Sequence, residues 1–231
     1  MIEAVGAAVT GDVTDTKQGA AGPGRTERTL AVVTAGLRQP SSTALLAERL
    51  ADATVRALAD RGLAARVHLV ELRPHAKALA DAMVTGFPSP ALAEVIDSVT
   101  GSDGLIAVTP TFAASYAGLF KSFFDVLDPD ALTGMPVLAA ATGGSARHSL
   151  VIEYAMRPLL NYFRAVIVPT GVFAATEDFG DGPQVARLTA RIDRAAGELA
   201  ELVAPGSHRS APDPFADAPS FADLLGDGGA G

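Results

Sequence analysis

The sequence predicts an α/β fold, a three-layer sandwich in which helices cover both faces of a five-stranded parallel sheet. Three observations lead there. Between residues 28 and 204, short apolar runs alternate with longer stretches of helical period, the pattern of repeated strand–helix units. The short runs are almost continuous Val, Ile, Leu and Ala, as expected of strands buried on both faces of a parallel sheet. The length, 231 residues, suits one such domain with loose ends.

Strands are predicted at 29–35, 66–72, 104–109, 136–142 and 166–173. Helices are predicted at 42–61, 91–100, 118–127, 148–164 and 183–202; in the first of these Leu46, Leu50, Ala53 and Ala57 share a face. Five strands fit the flavodoxin-like order 2-1-3-4-5, whereas six-stranded dinucleotide-binding topology lacks its last strand. Residues 73–90 read as a long irregular connection covering part of the site. Residues 1–27, with Gly-Ala-Ala-Gly-Pro-Gly at 19–24, read as a flexible tail. Residues 205–231 carry four prolines and four aspartates and read as a disordered tail. Within it, Ser-Phe-Ala-Asp-Leu-Leu at 220–225 is either a stray apolar cluster or a short docking segment. No internal repeat of 20–50 residues is visible.

Composition excludes several classes of function. There is no cysteine, so disulfides, thiolate nucleophiles and cysteine-based metal centres are ruled out, and an intracellular compartment fits. A net charge of −8 argues against a nucleic acid partner. Mean hydropathy is +0.27, but the longest charge-free stretch, 104–120, is broken by Pro110 and is too short for a membrane span. The start, Met-Ile-Glu, lacks the basic region of a secretory signal. A cytoplasmic protein without a membrane partner is expected. The four histidines, at 68, 75, 148 and 208, show no metal-ligand spacing, so no metal is expected.

In a doubly wound sheet, ligands bind beyond the carboxyl ends of the strands, where the strand order reverses. The loops after the first, third and fourth predicted strands are the least ordinary stretches of the chain. The first reads Gly-Leu-Arg-Gln-Pro-Ser-Ser-Thr at 36–43. Gly36 frees the turn, Ser41 or Ser42 can cap a helix, and the exposed N–H groups of that helix start attract an anion. Arg38 adds a guanidinium fork, and three consecutive hydroxyls add short donors. A plain capped helix start explains the same residues. The loop is neither a Walker loop nor a Gly-x-Gly-x-x-Gly turn.

The second loop spans 109–121, where Phe112 and Tyr116 offer flat apolar surface and Thr111 and Ser115 offer hydroxyls. A planar heterocycle suits that mixture, and ordinary packing at a helix start is the alternative. Lys121 and Asp125, four residues apart, pair on the helix. The third loop, Thr-Gly-Gly-Ser-Ala-Arg-His at 142–148, lets a ligand approach backbone N–H groups, or is a tight turn. His148 either touches that ligand or merely starts a helix. No Gly-x-Ser-x-Gly elbow appears, so the chemistry is expected from a bound cofactor and no catalytic residue is named.

These loops, in this order, resemble the NAD(P)H-dependent FMN reductases of the flavodoxin-like superfamily. The likeness is greatest to the reductase components of two-component flavin monooxygenases of the alkanesulfonate type. It rests on residues 36–43, on Thr109-Pro110, on Ser-Tyr-Ala-Gly at 115–118 with Lys121, and on Ala-Thr-Gly-Gly at 141–144. It continues through His148 and Glu-Tyr-Ala-Met-Arg-Pro at 153–158 to Gly-Val-Phe-Ala at 171–174. The resemblance implies FMN as cofactor and NADPH or NADH as hydride donor to flavin N5. Arg38, Ser41, Ser42 and Thr43, next to Gly36, would hold the phosphate. Pro110, Thr111, Phe112, Ser115 and Tyr116 would lie along the isoalloxazine, and Thr142, Gly143, Gly144 and Ser145 would approach its pyrimidine edge. Phe112 stands where the family often has Tyr.

Reduced FMN would pass to a partner monooxygenase, from a homodimer or homotetramer. In the sulfonate-type reductases a tyrosine at the place of Tyr154 forms a π-bulge at a tetramer interface, so the same is expected here. Two rival functions remain: a reductase of quinones, azo compounds or metal oxyanions that keeps its FMN, and a flavodoxin-type electron carrier. The absence of tryptophan weighs against the carrier, whose flavin is commonly shielded by Trp or Tyr.

Overall fold

A computed structural model describes residues 26–206. The expectations for the two tails, the 220–225 cluster included, fall outside these residues except at 26, 27, 205 and 206. The sheet is built around β1 (Glu27–Thr34), whose Leu30, Ala31, Val32 and Val33 are all fully buried. Alternate residues of a strand face opposite sides, so Leu30 and Val32 enter one core layer and Ala31 and Val33 the other. Parallel to β1 run β2 (Ala64–Glu71) on one side and β3 (Gly104–Phe112) on the other. Beyond β3 lies β5 (Pro136–Gly143), and beyond that β6 (Val166–Ile167).

The helices α1 (Ser42–Ala59) and α6 (Pro183–Val203) cover one face, packing Leu46, Leu50, Ile192 and Leu199 against Leu30, Ile106 and Leu138. The other face is covered by α2 (Ala76–Thr85), α3 (Pro90–Thr100), α4 (Gly118–Asp125) and α5 (Arg157–Tyr162). There Phe120, Phe123 and Phe124 of α4 are fully buried, and the Phe124 ring lies 4.7 Å from that of Phe120 and 5.8 Å from that of Phe163. Buried Arg28 ties the layers at the far end of the sheet. Its guanidinium donates to the Val203 carbonyl at 3.1 Å and to that of Ala204 at 2.7 Å, which satisfies the end of α6.

The α/β flavodoxin-like fold with a parallel sheet agrees with the expectation, but the strand count does not. Among the described residues there are seven strands, five of them in the order β2-β1-β3-β5-β6 with two more off that path, and not five in the order 2-1-3-4-5. One addition is β4 (Ser115–Tyr116), which folds back antiparallel on the end of β3. The other arises because the predicted strand 166–173 is broken: β7 (Val172–Ala175) pairs separately with β5. Pro169 has no N–H to give the ladder, and the Thr170 N–H donates instead to the Glu198 carboxylate at 2.8 Å.

Two further expectations are corrected. Residues 73–90 are not irregular, since a 3-10 turn (Arg73–His75) leads into α2, which Gly86 ends at φ 80°. Nor is β2 buried on both faces: as the edge strand it leaves Val67 and Leu69 exposed.

Candidate functional site

The loops singled out in the sequence meet at the carboxyl ends of β1, β3 and β5. Parallel pairing sets Pro110 of β3 beside Thr142 of β5. The Ala35 N–H donates to the Val108 carbonyl at 3.1 Å, which fixes the exit of β1 against β3. Buried Thr43, in the first turn of α1, shares a 2.9 Å hydrogen bond with the hydroxyl of buried Thr142. First and third loops are thereby bolted together. The hydroxyls of Thr43 and Thr142 are thus committed to each other, and the two residues position the loops beneath any ligand.

A cleft of about 140 Å³ opens at the start of α1, bordered by Thr34, Gly36, Arg38, Gln39, Ser41, Ala44, Glu71 and Arg73. Ser41 is the helix N-cap, its Oγ accepting from the Ala44 N–H at 3.1 Å. The first N–H groups of the helix, at Ser42 and Thr43, have no intrahelical acceptor and carry the positive end of its dipole. Gly36 leaves no room for a side chain, because a Cβ there would lie 2.2 Å from Ser41 Oγ. Arg38 is exposed over the cleft. The buried Thr34 hydroxyl, in a residue only 2% exposed, has no hydrogen-bond partner among the described residues. An orphan donor under a cationic helix start fits a phosphate monoester.

The second loop is a hairpin. Ala113 and Ala114 occupy its two turn positions at φ 46° and 65°, a left-handed pair that non-glycine residues adopt only under constraint. The turn holds Phe112 at the rim, 45% exposed, and half-buries Ser115 and Tyr116. Buried Pro110 continues the strand beneath them. The Thr111 hydroxyl is a second buried group without a partner among the described residues. Lys121 and Asp125 form the expected ion pair on α4. In the third loop nothing stands within 4 Å of the place where Gly144 would carry a Cβ, so backbone is accessible there, with half-buried Gly143 and Ser145 on either side. An exposed aromatic edge, an orphan hydroxyl and open backbone suit a flat heteroaromatic ring with polar edges. The residues present therefore fit the phosphate of FMN at the first loop and its ring at the other two.

A second cleft, about 370 Å³, lies between the hairpin tip and the segment after the third loop. It is bordered by Ala114, Ser115, Arg147, His148, Leu150, Val151, Tyr154 and Ala155. Here the helix opens into a π-turn (Ile152–Met156), with the Arg157 N–H donating to the Ile152 carbonyl. Pro158 explains the widening: it lacks the N–H that would bond the Tyr154 carbonyl, and its ring would crowd that carbonyl in a regular α-helix. Arg157 anchors the turn by donating to the Val168 carbonyl at 3.2 Å and pairing with Glu153 at 2.8 Å. Tyr154 sits inside the π-turn and is 78% exposed.

Sequence reasoning placed all three loops, yet missed Thr34 and Glu71 and did not place Arg73 beside the phosphate loop. The signal lay in the pairing of strands: parallel register sets Glu71 opposite Thr34, so whatever follows β2 stands beside whatever follows β1. Among the described residues no group of acidic residues and histidines has metal-binding geometry, and no helix is long and apolar enough to cross a membrane.

Comparison with known proteins identifies the family. The model of the family described as NADPH-dependent FMN reductase matches residues 28–180. An FMN reductase (NADPH) from Pseudomonas aeruginosa is 35% identical over 173 residues, which is 74% of this chain and 89% of that protein. The NADH-dependent FMN reductase SfnE of Pseudomonas putida is 37% identical over 176 residues, 76% of this chain and 91% of its own. Among solved structures, an oxidoreductase from Corynebacterium diphtheriae superposes with a TM-score of 0.76 at 55% identity, covering 79% of this chain and 100% of that one. The chain belongs to the NADPH-dependent FMN reductase family.

Proposed function

We propose that this protein is an NAD(P)H-dependent FMN reductase that releases its reduced flavin to a partner monooxygenase. One observation carries the reading: at the start of α1 the buried Thr34 hydroxyl and the Arg38 guanidinium, neither partnered among the described residues, converge with a glycine whose Cβ would meet Ser41, beside the exposed Phe112 and the open backbone of Gly144 on the next two loops. When bound, FMN supplies the hydride acceptor for the reduced nicotinamide. Arg38 and the N–H groups of Ser42 and Thr43 hold the phosphate, with Ser41 and Thr43 fixing the helix start. Residues 110–116 support one face of the ring, with Phe112 at its edge, and the backbone of residues 142–145 meets the polar rim. The cleft between Ser115 and Tyr154 leaves the other approach open for the nicotinamide nucleotide. Geometry suffices for hydride transfer, so no side chain is needed as acid or base. Relatives named for NADPH and for NADH both match, so either donor is consistent with this site.

The test is retention of flavin. Protein passed through a desalting column is expected to emerge colourless and to regain FMN on titration. A yellow protein that survives desalting and reduces quinones would establish the bound-flavin rival instead.

We also propose a homodimer or homotetramer. Leu150 just before the π-turn, Tyr154 within it and Tyr162 at the end of α5 are large apolar side chains left exposed, as a contact between subunits would use. Tyr154→Ala is expected to shift light scattering towards smaller species at equal concentration. An unchanged mass would place the contact elsewhere.

A further inference from the structure

One charge on the border of the cleft at the start of α1 is of the wrong sign for a phosphate. Glu71 stands there together with Arg38 and Arg73. Its place follows from the sheet. Residues paired across a parallel ladder point to the same face, and Leu30 and Val32 of β1 face the layer that α1 covers. Two residues on, Thr34 faces the same way, and Glu71 is its partner in β2. The carboxylate is therefore presented on the side of the sheet where α1 begins. It is exposed, and among the described residues it makes no ion pair with Arg38, with Arg73 or with any other cation.

A cleft of about 140 Å³ has room for the phosphate and little else, so each group on its border stands within several ångströms of that phosphate. A phosphate monoester carries close to two negative charges at neutral pH. Its oxygens, like those of an ionised carboxylate, accept hydrogen bonds and donate none. Glu71 and the phosphate thus have no bond to share, and their charges repel. Attraction comes from the two guanidiniums and from the helix start, which acts as roughly half a positive charge. A single carboxylate beside them offsets a substantial part of it.

We infer that Glu71 sets the affinity for FMN by repelling its phosphate, so that the flavin is bound weakly enough to leave. The residue acts on the phosphate end alone, because the ring loops follow β3 and β5, across β1 from the end of β2. This inference rests on the FMN-site reading proposed above.

The experiment is calorimetric titration of the desalted full chain with FMN and with riboflavin, at low and at high ionic strength, repeated for Glu71→Gln and Glu71→Asp. The side chain is exposed, so both variants should fold. At low ionic strength Glu71→Gln is expected to lower the Kd for FMN about three- to tenfold, and the gain should shrink as salt screens the charges. Riboflavin should bind all three proteins alike, and Glu71→Asp, which keeps the charge, should stay near the native Kd for FMN. An FMN affinity unchanged or weakened in Glu71→Gln overturns the inference, as does an equal gain for riboflavin or a gain that salt leaves intact. Tightening by Glu71→Asp as large as that by Glu71→Gln also overturns it, by assigning the effect to side-chain length. A native chain that binds neither flavin overturns the FMN-site reading itself, an outcome distinct from the others.

Discussion

Replacing Arg38 by alanine is expected to raise the Kd for FMN about tenfold or more, while riboflavin binding changes little. Arg38 makes no ion pair among the described residues and stands exposed over the cleft at the start of α1. A hydrogen bond to a charged phosphate oxygen contributes roughly 1.5–3 kcal/mol, and each 1.4 kcal/mol is about a tenfold change in Kd. Riboflavin has no phosphate, so it cannot lose that contact. The comparison separates phosphate reading from general disturbance of the loop. Equal losses for both flavins, measured by fluorescence quenching, would show that Arg38 acts on the loop and not on the phosphate.

The largest effect on stability is expected at Phe124. Its ring is fully buried and touches three others, those of Phe120, Phe123 and Phe163, at centroid distances of 4.7, 5.5 and 5.8 Å. Truncation of a buried Phe to Ala costs about 3–5 kcal/mol, from lost burial and the cavity left behind. For a domain of this size Phe124→Ala should lower Tm on the order of 10 °C. The site should weaken with it. Phe120, packed on Phe124, also meets the Tyr116 ring at 5.8 Å, and Tyr116 closes the strained hairpin under the proposed flavin. Phe124→Leu should recover most of the loss. A Phe124→Ala protein with native Tm in calorimetry would mean that the α4 core is not the support described here.

Much of this architecture was legible because its central strands, β1, β3 and β5, are buried on both faces. Continuous runs such as Leu30–Val33 and 105–108 have few other homes, and the loops that follow them are marked by Gly36, Pro110 and the Gly143–Gly144 pair. What escaped has physical reasons. The helix α2 buries only Leu79 and Ala82, so its periodic signal is faint, and prolines at 74, 88 and 90 suggest a broken segment. The hairpin turn relies on left-handed Ala113 and Ala114, and no local rule reads that conformation from alanine. The split of the last strand follows from Pro169 together with Glu198, which lies 28 residues further on from Thr170 and can be connected to it only in three dimensions. Glu71 and Arg73 reach the cleft through strand adjacency, and their own neighbours in sequence give no hint of it. The π-turn is the reverse case. The family resemblance implies a π-bulge at Tyr154, the helix is widened there, and Pro158 gives the physical reason.

The central claim is that the cleft joining the three loops serves a flavin which comes and goes. It is tested most directly by following NADPH and NADH oxidation at the nicotinamide absorbance band with desalted protein and increasing FMN. A rate near zero without flavin, rising and saturating as FMN is added, is the result expected of a dissociable flavin substrate. A rate indifferent to added FMN, or no oxidation of either nucleotide at saturating FMN, would contradict it.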